Sequence, residues 1–185
     1  MSESPSDDRI VTSRLTLVPA TARIVRADLH DRPALVGLLG ALVPENWPPE
    51  ILIEALPELL ERLEEGTAGL GWYWLFSADT GGLPILVGHG GFSHDPRLAD
   101  EVEIGYSVLP QHQSCGLATE AVGAMVRWAF SHAALQAVAA HTFPDGIASI
   151  RVLQKNGFQF AGEGPEPGTI EYLLCRPGAV GPSSR

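Results

Sequence analysis

The chain has 185 residues, 45% hydrophobic and 18% charged, with a formal net charge of −10 at pH 7. That length and balance describe one globular domain with enough apolar side chains to bury a core, and they exclude a disordered chain. The charge argues against a nucleic-acid binder, which needs clustered Lys and Arg for phosphates; it suits a cationic partner, although solubility alone is reason enough for it.

The opening residues MSESPSDDRI are acidic and polar, the opposite of a secretory signal. No apolar run reaches the roughly 18–20 residues that span a bilayer. A cytoplasmic protein without a membrane partner is expected. Cys115 and Cys175 stand far apart, which suggests neither a disulfide framework nor a Cys-based zinc cluster. Residues 1–9 and 177–185 read as loose tails around a single domain over 10–176.

In chain order, 10–19 (IVTSRLTLVP) alternates as a strand. Residues 28–43 follow a helical rhythm, with Pro33 tolerable in the first turn. A second helix is expected over 49–65, kinked or split at Pro57, which lacks the donor for the preceding turn. Three strands follow, 72–77, 84–94 and 101–109, separated by DTGG and DPRLAD turns. A helix from Leu117 to about His132 carries Ala121, Val122, Met125, Trp128 and Ala129 on one side. Residues 138–143 form a short strand. Asp145 is a plausible N-cap for a helix reaching Asn156, with Gly157 as terminator. Strands at 158–162 and 169–175 complete an α+β (mixed α/β) chain in which helices pack on a mixed sheet.

The most informative segment is Gln113-Ser114-Cys115-Gly116-Leu117-Ala118-Thr119, where a strand ends, a polar turn follows and a helix opens. Free N–H groups and the helix dipole make such a start attractive to anions. Gly116 lets a phosphate approach the main chain, small Ala118 keeps the approach open, and Gln113 and Ser114 add side-chain donors. A lone strand–turn–helix with one glycine is equally a tight connection. GxGxxG and GxxxxGK[ST] signatures are both missing from the sequence.

Gln113–Ala118 resembles the Q/RxxGxG/A signature of the GNAT superfamily of N-acetyltransferases, preceded by a strand and followed by the Thr119-Glu120-Ala121 helix opening. About 30 residues on, Thr142–Phe158 is similar to the RimJ/RimL-like pattern T-x-P-x-N-x-x-S-x-x-V-L-x-K-x-G-F. The shared element order extends the resemblance over 10–176. It implies a GNAT acyl-CoA N-acyltransferase fold: a central mixed, mostly antiparallel sheet of about seven strands flanked by helices. Acetyl-CoA would lie between the splayed parallel strands 101–109 and 138–143. Its pyrophosphate would rest on the main chain of Gln113–Ala118, reaching Thr119, and its pantetheine arm would pair near Val108 and Leu109. The chain departs from the pattern at Gly146, where Asn is usual and contacts the cofactor arm. Gln113 in place of Arg removes a positive charge from the turn.

The resemblance implies acetyl transfer to a primary amine, a protein N-terminus or a small molecule, by direct attack in a ternary complex. The alternative is a catalytically weak acyl-CoA-binding or regulatory domain. Transfer needs a deprotonated amine, a stabilised oxyanion and a protonated leaving thiolate. Strand alternation sets Glu101, Glu103, Gly105 and Ser107 on one face. A carboxylate in a central strand is expensive unless paired or useful, so Glu103 is the first candidate base, or else a binding group of the acceptor groove. Ser149, the serine of the second motif, is the candidate thiolate partner, or else a helix-steadying residue. The oxyanion donor is expected in the main chain near Leu109. His141, on the strand opposite Glu103, is a structural or substrate-contact residue, or else an alternative base. Trp47, in an exposed-looking NWPP turn, is expected on the acceptor wall. Cys115 has no base beside it in sequence and reads as a small residue fitting the turn. The six histidines show no HExxH-type spacing, so no metal is expected. A homodimer is common in the resembling branch.

Overall fold

In the computed structural model the described residues are 9–66, 70–77, 81–94, 100–131 and 135–178; the expected tails outside 9–178, most of the DTGG and DPRLAD turns, and His132 lie outside them. Strands β1 (Ile10–Val11), β2 (Leu15–Pro19), β3 (Leu70–Phe76), β4 (Ile85–Ser93), β5 (Glu101–Val108), β6 (Ala137–Thr142), β7 (Gln159–Glu163) and β8 (Ile170–Cys175) form one sheet in the order β1-β2-β3-β4-β5-β6-β8-β7. Every pairing is antiparallel except β5 with β6. Helices α1 (Ala22–His30), α2 (Arg32–Leu39) and α3 (Glu50–Glu64) belong to one face; α4 (Leu117–Ser131) and α5 (Ile147–Lys155) belong to the other.

Both faces of the sheet centre are therefore buried. Trp72 and Trp74 enter the α4/α5 core, while Tyr73 and Leu75 enter the α1–α3 core. This is why β3 reads as an unbroken apolar run rather than an alternating one.

Several expectations are corrected. Residues 10–19 are a hairpin, not one strand, with Ile10 opposite Leu17. Thr12 turns the chain: its main-chain N–H donates to the Leu15 carbonyl and its hydroxyl receives the Leu15 N–H. The sheet thus has eight strands where about seven were expected. The single helix over 28–43 is two helices. Asp31 leaves helical geometry, closes α1 through its N–H to Ala27, and caps α2 by accepting the Ala34 N–H at 3.0 Å. Helix α2 stops at Gly40 in the left-handed conformation, and Leu42 instead bridges β4, giving its N–H to Pro84 and receiving the Leu86 N–H. Pro57 does not split α3, which runs unbroken because buried Leu52 and Leu56 pin the helix while Pro57 faces solvent. Asp145 is not the cap of α5; Gly146 holds that position without a side-chain bond. Gly157, at φ +87°, follows the helix end as expected.

Among the described residues no helix is long and apolar enough to cross a membrane.

Candidate active site

Strands β5 and β6 pair only from Glu101–Ala137 to Glu103–Ala139. Beyond Glu103 they part, while β5 stays bonded to β4 up to Val108, and the Leu109 N–H donates to Val87 at 2.9 Å. Strand alternation therefore turns the amides and carbonyls of Ile104, Tyr106 and Val108 toward the gap. Gln113 reaches back into it, donating its side-chain N–H to the Val108 carbonyl at 3.0 Å.

After a short turn of 3₁₀ helix over Pro110–His112 the chain takes two left-handed residues, Ser114 (φ +60°) and Gly116 (φ +79°), before α4 opens. A Cβ at Gly116 would touch only the Arg14 guanidinium, 3.5 Å away; glycine is dictated by the backbone angle rather than by crowding. Ser114 adopts the same region without that freedom, a local strain typical of ligand-binding turns. The first intrahelical bond of α4 runs from the Glu120 N–H to the Gly116 carbonyl, so the amides of Leu117, Ala118 and Thr119 have no acceptor within the helix.

This turn and the parted strands enclose a cavity of about 450 Å³. Of the residues expected at the cofactor, Val108, Gln113, Ser114, Gly116, Leu117, Ala118 and Thr119 line it, and so does Ser149. Leu109 and Cys115 do not. Leu109 is fully buried in the α1–α3 core and its amide is committed to Val87. The thiol of Cys115 turns to the Gln113 carbonyl at 3.3 Å. The cavity also gains His112, and Arg151 and Lys155 from one exposed edge of α5. Those two cations were given no role in the sequence, although Lys155 stands in the second motif, because they line the cavity only once α5 is set across the gap.

A latch fixes the turn from outside. The Glu120 carboxylate accepts from the Thr12 hydroxyl (2.6 Å), the Ser13 hydroxyl (2.9 Å), the Arg14 N–H (2.8 Å) and the Arg14 guanidinium (2.7 Å). Arg14 donates in addition to the Cys115 carbonyl at 2.9 Å. Partial burial pushes the Glu120 carboxyl up, but these donors outweigh it and hold the group down at about 2.

On the opposite face lies a second cavity of about 630 Å³, walled by Ile51, Leu52, Ala55 and Leu59 of α3 and floored by Gly91, Gly105, Ser93 and Glu103. Tyr106 and Ser107 line both cavities. The Tyr106 hydroxyl is 3.1 Å from the Ser149 Oγ, and burial raises its pKa, keeping the phenol protonated. Tyr106 lies in the strand before the first motif and carried no assigned role; its partner on α5 is 43 positions away.

Glu103 faces the second cavity and remains half exposed, as its strand parity predicts. The His141 Nδ1 is 2.9 Å from its Oε1, and the His141 Nε2 is 3.4 Å from Glu171 Oε1. Trp47, expected to be exposed on the acceptor wall, is buried instead, and it does not line the groove. Its indole donates to Asp28 at 2.9 Å, and the Tyr73 hydroxyl donates to the other oxygen of the same carboxylate. At Gly146 a Cβ would come within 2.6 Å of the Thr142 hydroxyl and 3.0 Å of the Phe143 carbonyl. The departure at this position therefore has a packing reason: an Asn would require the preceding turn to shift.

Comparison with known proteins agrees with this geometry. A family model described as an acetyltransferase (GNAT) domain matches residues 14–159. The uncharacterized N-acetyltransferase YjdG of Bacillus subtilis is 28% identical over 149 residues, covering 80% of this chain and 87% of YjdG. Among solved structures, an acetyltransferase from Agrobacterium tumefaciens superposes with a TM-score of 0.62 at 21% identity, covering 95% of this chain and 99% of that one. A ribosomal L7/L12 α-N-protein acetyltransferase, RimL, in complex with coenzyme A superposes with a TM-score of 0.62 at 17% identity, covering 91% and 98%.

Proposed function

Since the chain belongs to the GNAT family of N-acetyltransferases, we propose that it transfers the acetyl group of acetyl-CoA to a primary amine, a protein N-terminus or a small molecule, by direct attack in a ternary complex. One observation carries this reading: two cavities on opposite faces of the sheet meet at Tyr106 and Ser107, where β5 has lost its neighbour. A donor on one side and an acceptor on the other can reach each other there.

The donor cavity suits a coenzyme A thioester. Free amides at the start of α4 and the left-handed turn receive a diphosphate, and Arg151 and Lys155 supply the positive charge that Gln113 lacks. The amides of Tyr106 and Val108, facing the gap, are donors for the pantetheine arm and for the thioester oxygen. Acetyl-CoA supplies an activated acetyl group whose carbonyl carbon the amine attacks.

The chain's own residues handle the protons. An alkyl ammonium with a pKa near 10 is charged at pH 7; Glu103, open to the acceptor groove, takes its proton. On the other side the Tyr106 hydroxyl, held protonated by burial and bonded to Ser149, donates toward the leaving sulfur, and Ser149 helps aim it.

Thiol release from acetyl-CoA with a panel of peptide and small-molecule amines tests the proposal. We expect turnover with at least one acceptor, and a rise in Tm with acetyl-CoA alone, about 2.7 kcal/mol of stabilisation at a hundred times Kd. No change in Tm at saturating acetyl-CoA would refute it; a rise without turnover for any amine would favour the acyl-CoA-binding alternative.

A further inference from the structure

Glu103, His141 and Glu171 come from three adjacent strands, β5, β6 and β8. Glu103 is the cross-strand partner of Ala139, two residues before His141, and His141 is the cross-strand partner of Glu171. The period of two along β6 sets Ala139 and His141 on the same face. One imidazole thus stands between two carboxylates, Nδ1 toward Glu103 at 2.9 Å and Nε2 toward Glu171 at 3.4 Å. Exposure is lowest in the middle: 46% for the Glu103 side chain, 17% for His141 and 22% for Glu171. Glu103 opens on the acceptor groove, whereas neither His141 nor Glu171 lines it. The other carboxylates of the groove, Glu58 and Glu166, belong to α3 and the β7–β8 connection.

A base that holds its proton cannot act again, and a substrate covering Glu103 blocks direct return of that proton to water. The geometry supplies another exit. We propose that Glu171 is a positioning residue that completes a proton relay, Glu103 to His141 to Glu171, leading away from the acceptor groove. The proposal rests on Glu103 being the base. The ammonium N–H bond breaks and an O–H bond forms on Glu103. With His141 in its Nε2–H tautomer, Glu103 then gives that hydrogen to Nδ1 while the Nε2–H hydrogen passes to Glu171. One N–H bond forms, one breaks, and Glu103 is again a carboxylate. Glu171, partly exposed, releases the proton to water, and the imidazole returns to its starting tautomer by exchange with solvent.

Two measurements test it. In protein labelled with ¹⁵N at histidine, without acceptor, the His141 ring is assigned by its loss in His141→Gln. Glu171→Met should shift the neutral ring toward the Nδ1–H tautomer, and Glu103→Met toward Nε2–H. An unchanged ring in Glu171→Met overturns the proposal. In turnover with acetyl-CoA and the fastest amine of the panel, the isosteric Glu171→Gln should lower kcat about tenfold, below the full effect of losing a base. KM for both substrates should hold, and added imidazole buffer should restore the rate. A wild-type kcat in Glu171→Gln at every buffer concentration, beside an impaired Glu103→Gln, sinks the relay alone. An unimpaired Glu103→Gln sinks the base assignment beneath it.

Discussion

Glu103 owes its access to strand parity: the same alternation that buries Ile104 in the α4/α5 core turns the carboxylate out over the groove. Tyr106 has the opposite parity and reaches α5, where Ser149 meets it. Glu103→Gln is expected to lower kcat by about 10²–10⁴-fold at pH 7. The loss should shrink at high pH, where more of the amine is already uncharged; an unchanged pH–rate profile would remove Glu103 from the base role. Tyr106→Phe removes the hydroxyl and keeps the ring that stacks on Trp74. Steady-state kinetics should show kcat falling by roughly tenfold or more with KM for acetyl-CoA unchanged, the signature of an interaction made in the transition state. A selective rise in KM would instead make Tyr106 a binding residue. Glu103 was legible in the sequence because parity needs only neighbours. The role of Tyr106 was not, because its partner lies on another element.

At the scale of elements, the β1–β2 hairpin acts on the turn before α4 through Glu120, the first acidic residue of α4. Four donors from Thr12, Ser13 and Arg14 hold the carboxylate, and Arg14 carries the tie on to the Cys115 carbonyl. Glu120→Ala leaves these donors without their acceptor. We expect a loss of about 1–3 kcal/mol in denaturant unfolding, with a raised KM for acetyl-CoA as the turn loosens. The native carboxyl titrates at about 2 against an ordinary 4.5. A depressed native value means that stability is fully present above about 4.5 and is lost as pH falls toward 2. Acid melts over that window should show a slope that Glu120→Ala lacks. The hairpin itself was hidden in the sequence: IVTSRLTLVP alternates well enough to pass for one strand, and the turn shows only in the bonds of Thr12 to Leu15 and of Thr12–Arg14 to α4.

Across the whole molecule, the sheet separates two chemistries, and His89 shows how deep the separation goes. It sits in β4 on the α1–α3 face, 8% exposed, with Nε2 unpartnered and the ring edge-on to Tyr73. Burial holds its imidazole down at about 4 instead of 6.5. A native value below the unfolded one means that the folded protein binds fewer protons, so stability is complete above about pH 6.5 and declines toward pH 4. Thermal melts between pH 7.5 and 4 should follow that decline, and His89→Leu should flatten it. An identical pH dependence in the variant would show that the proton goes elsewhere.

The sequence by itself determined the element types from β3 onward, the polar turn that opens α4, the orientation of Glu103 and the family. All of these rest on local periodicity, backbone angles and short motifs, which neighbouring residues dictate. Only the tertiary structure decided the split of 28–43 at Asp31, the burial of Trp47 on Asp28, the burial of Leu109 in the α1–α3 core and the meeting of Glu103, His141 and Glu171. Each of those depends on a partner from another element. A side chain's surroundings, unlike its parity along a strand, exist only after the chain has closed on itself.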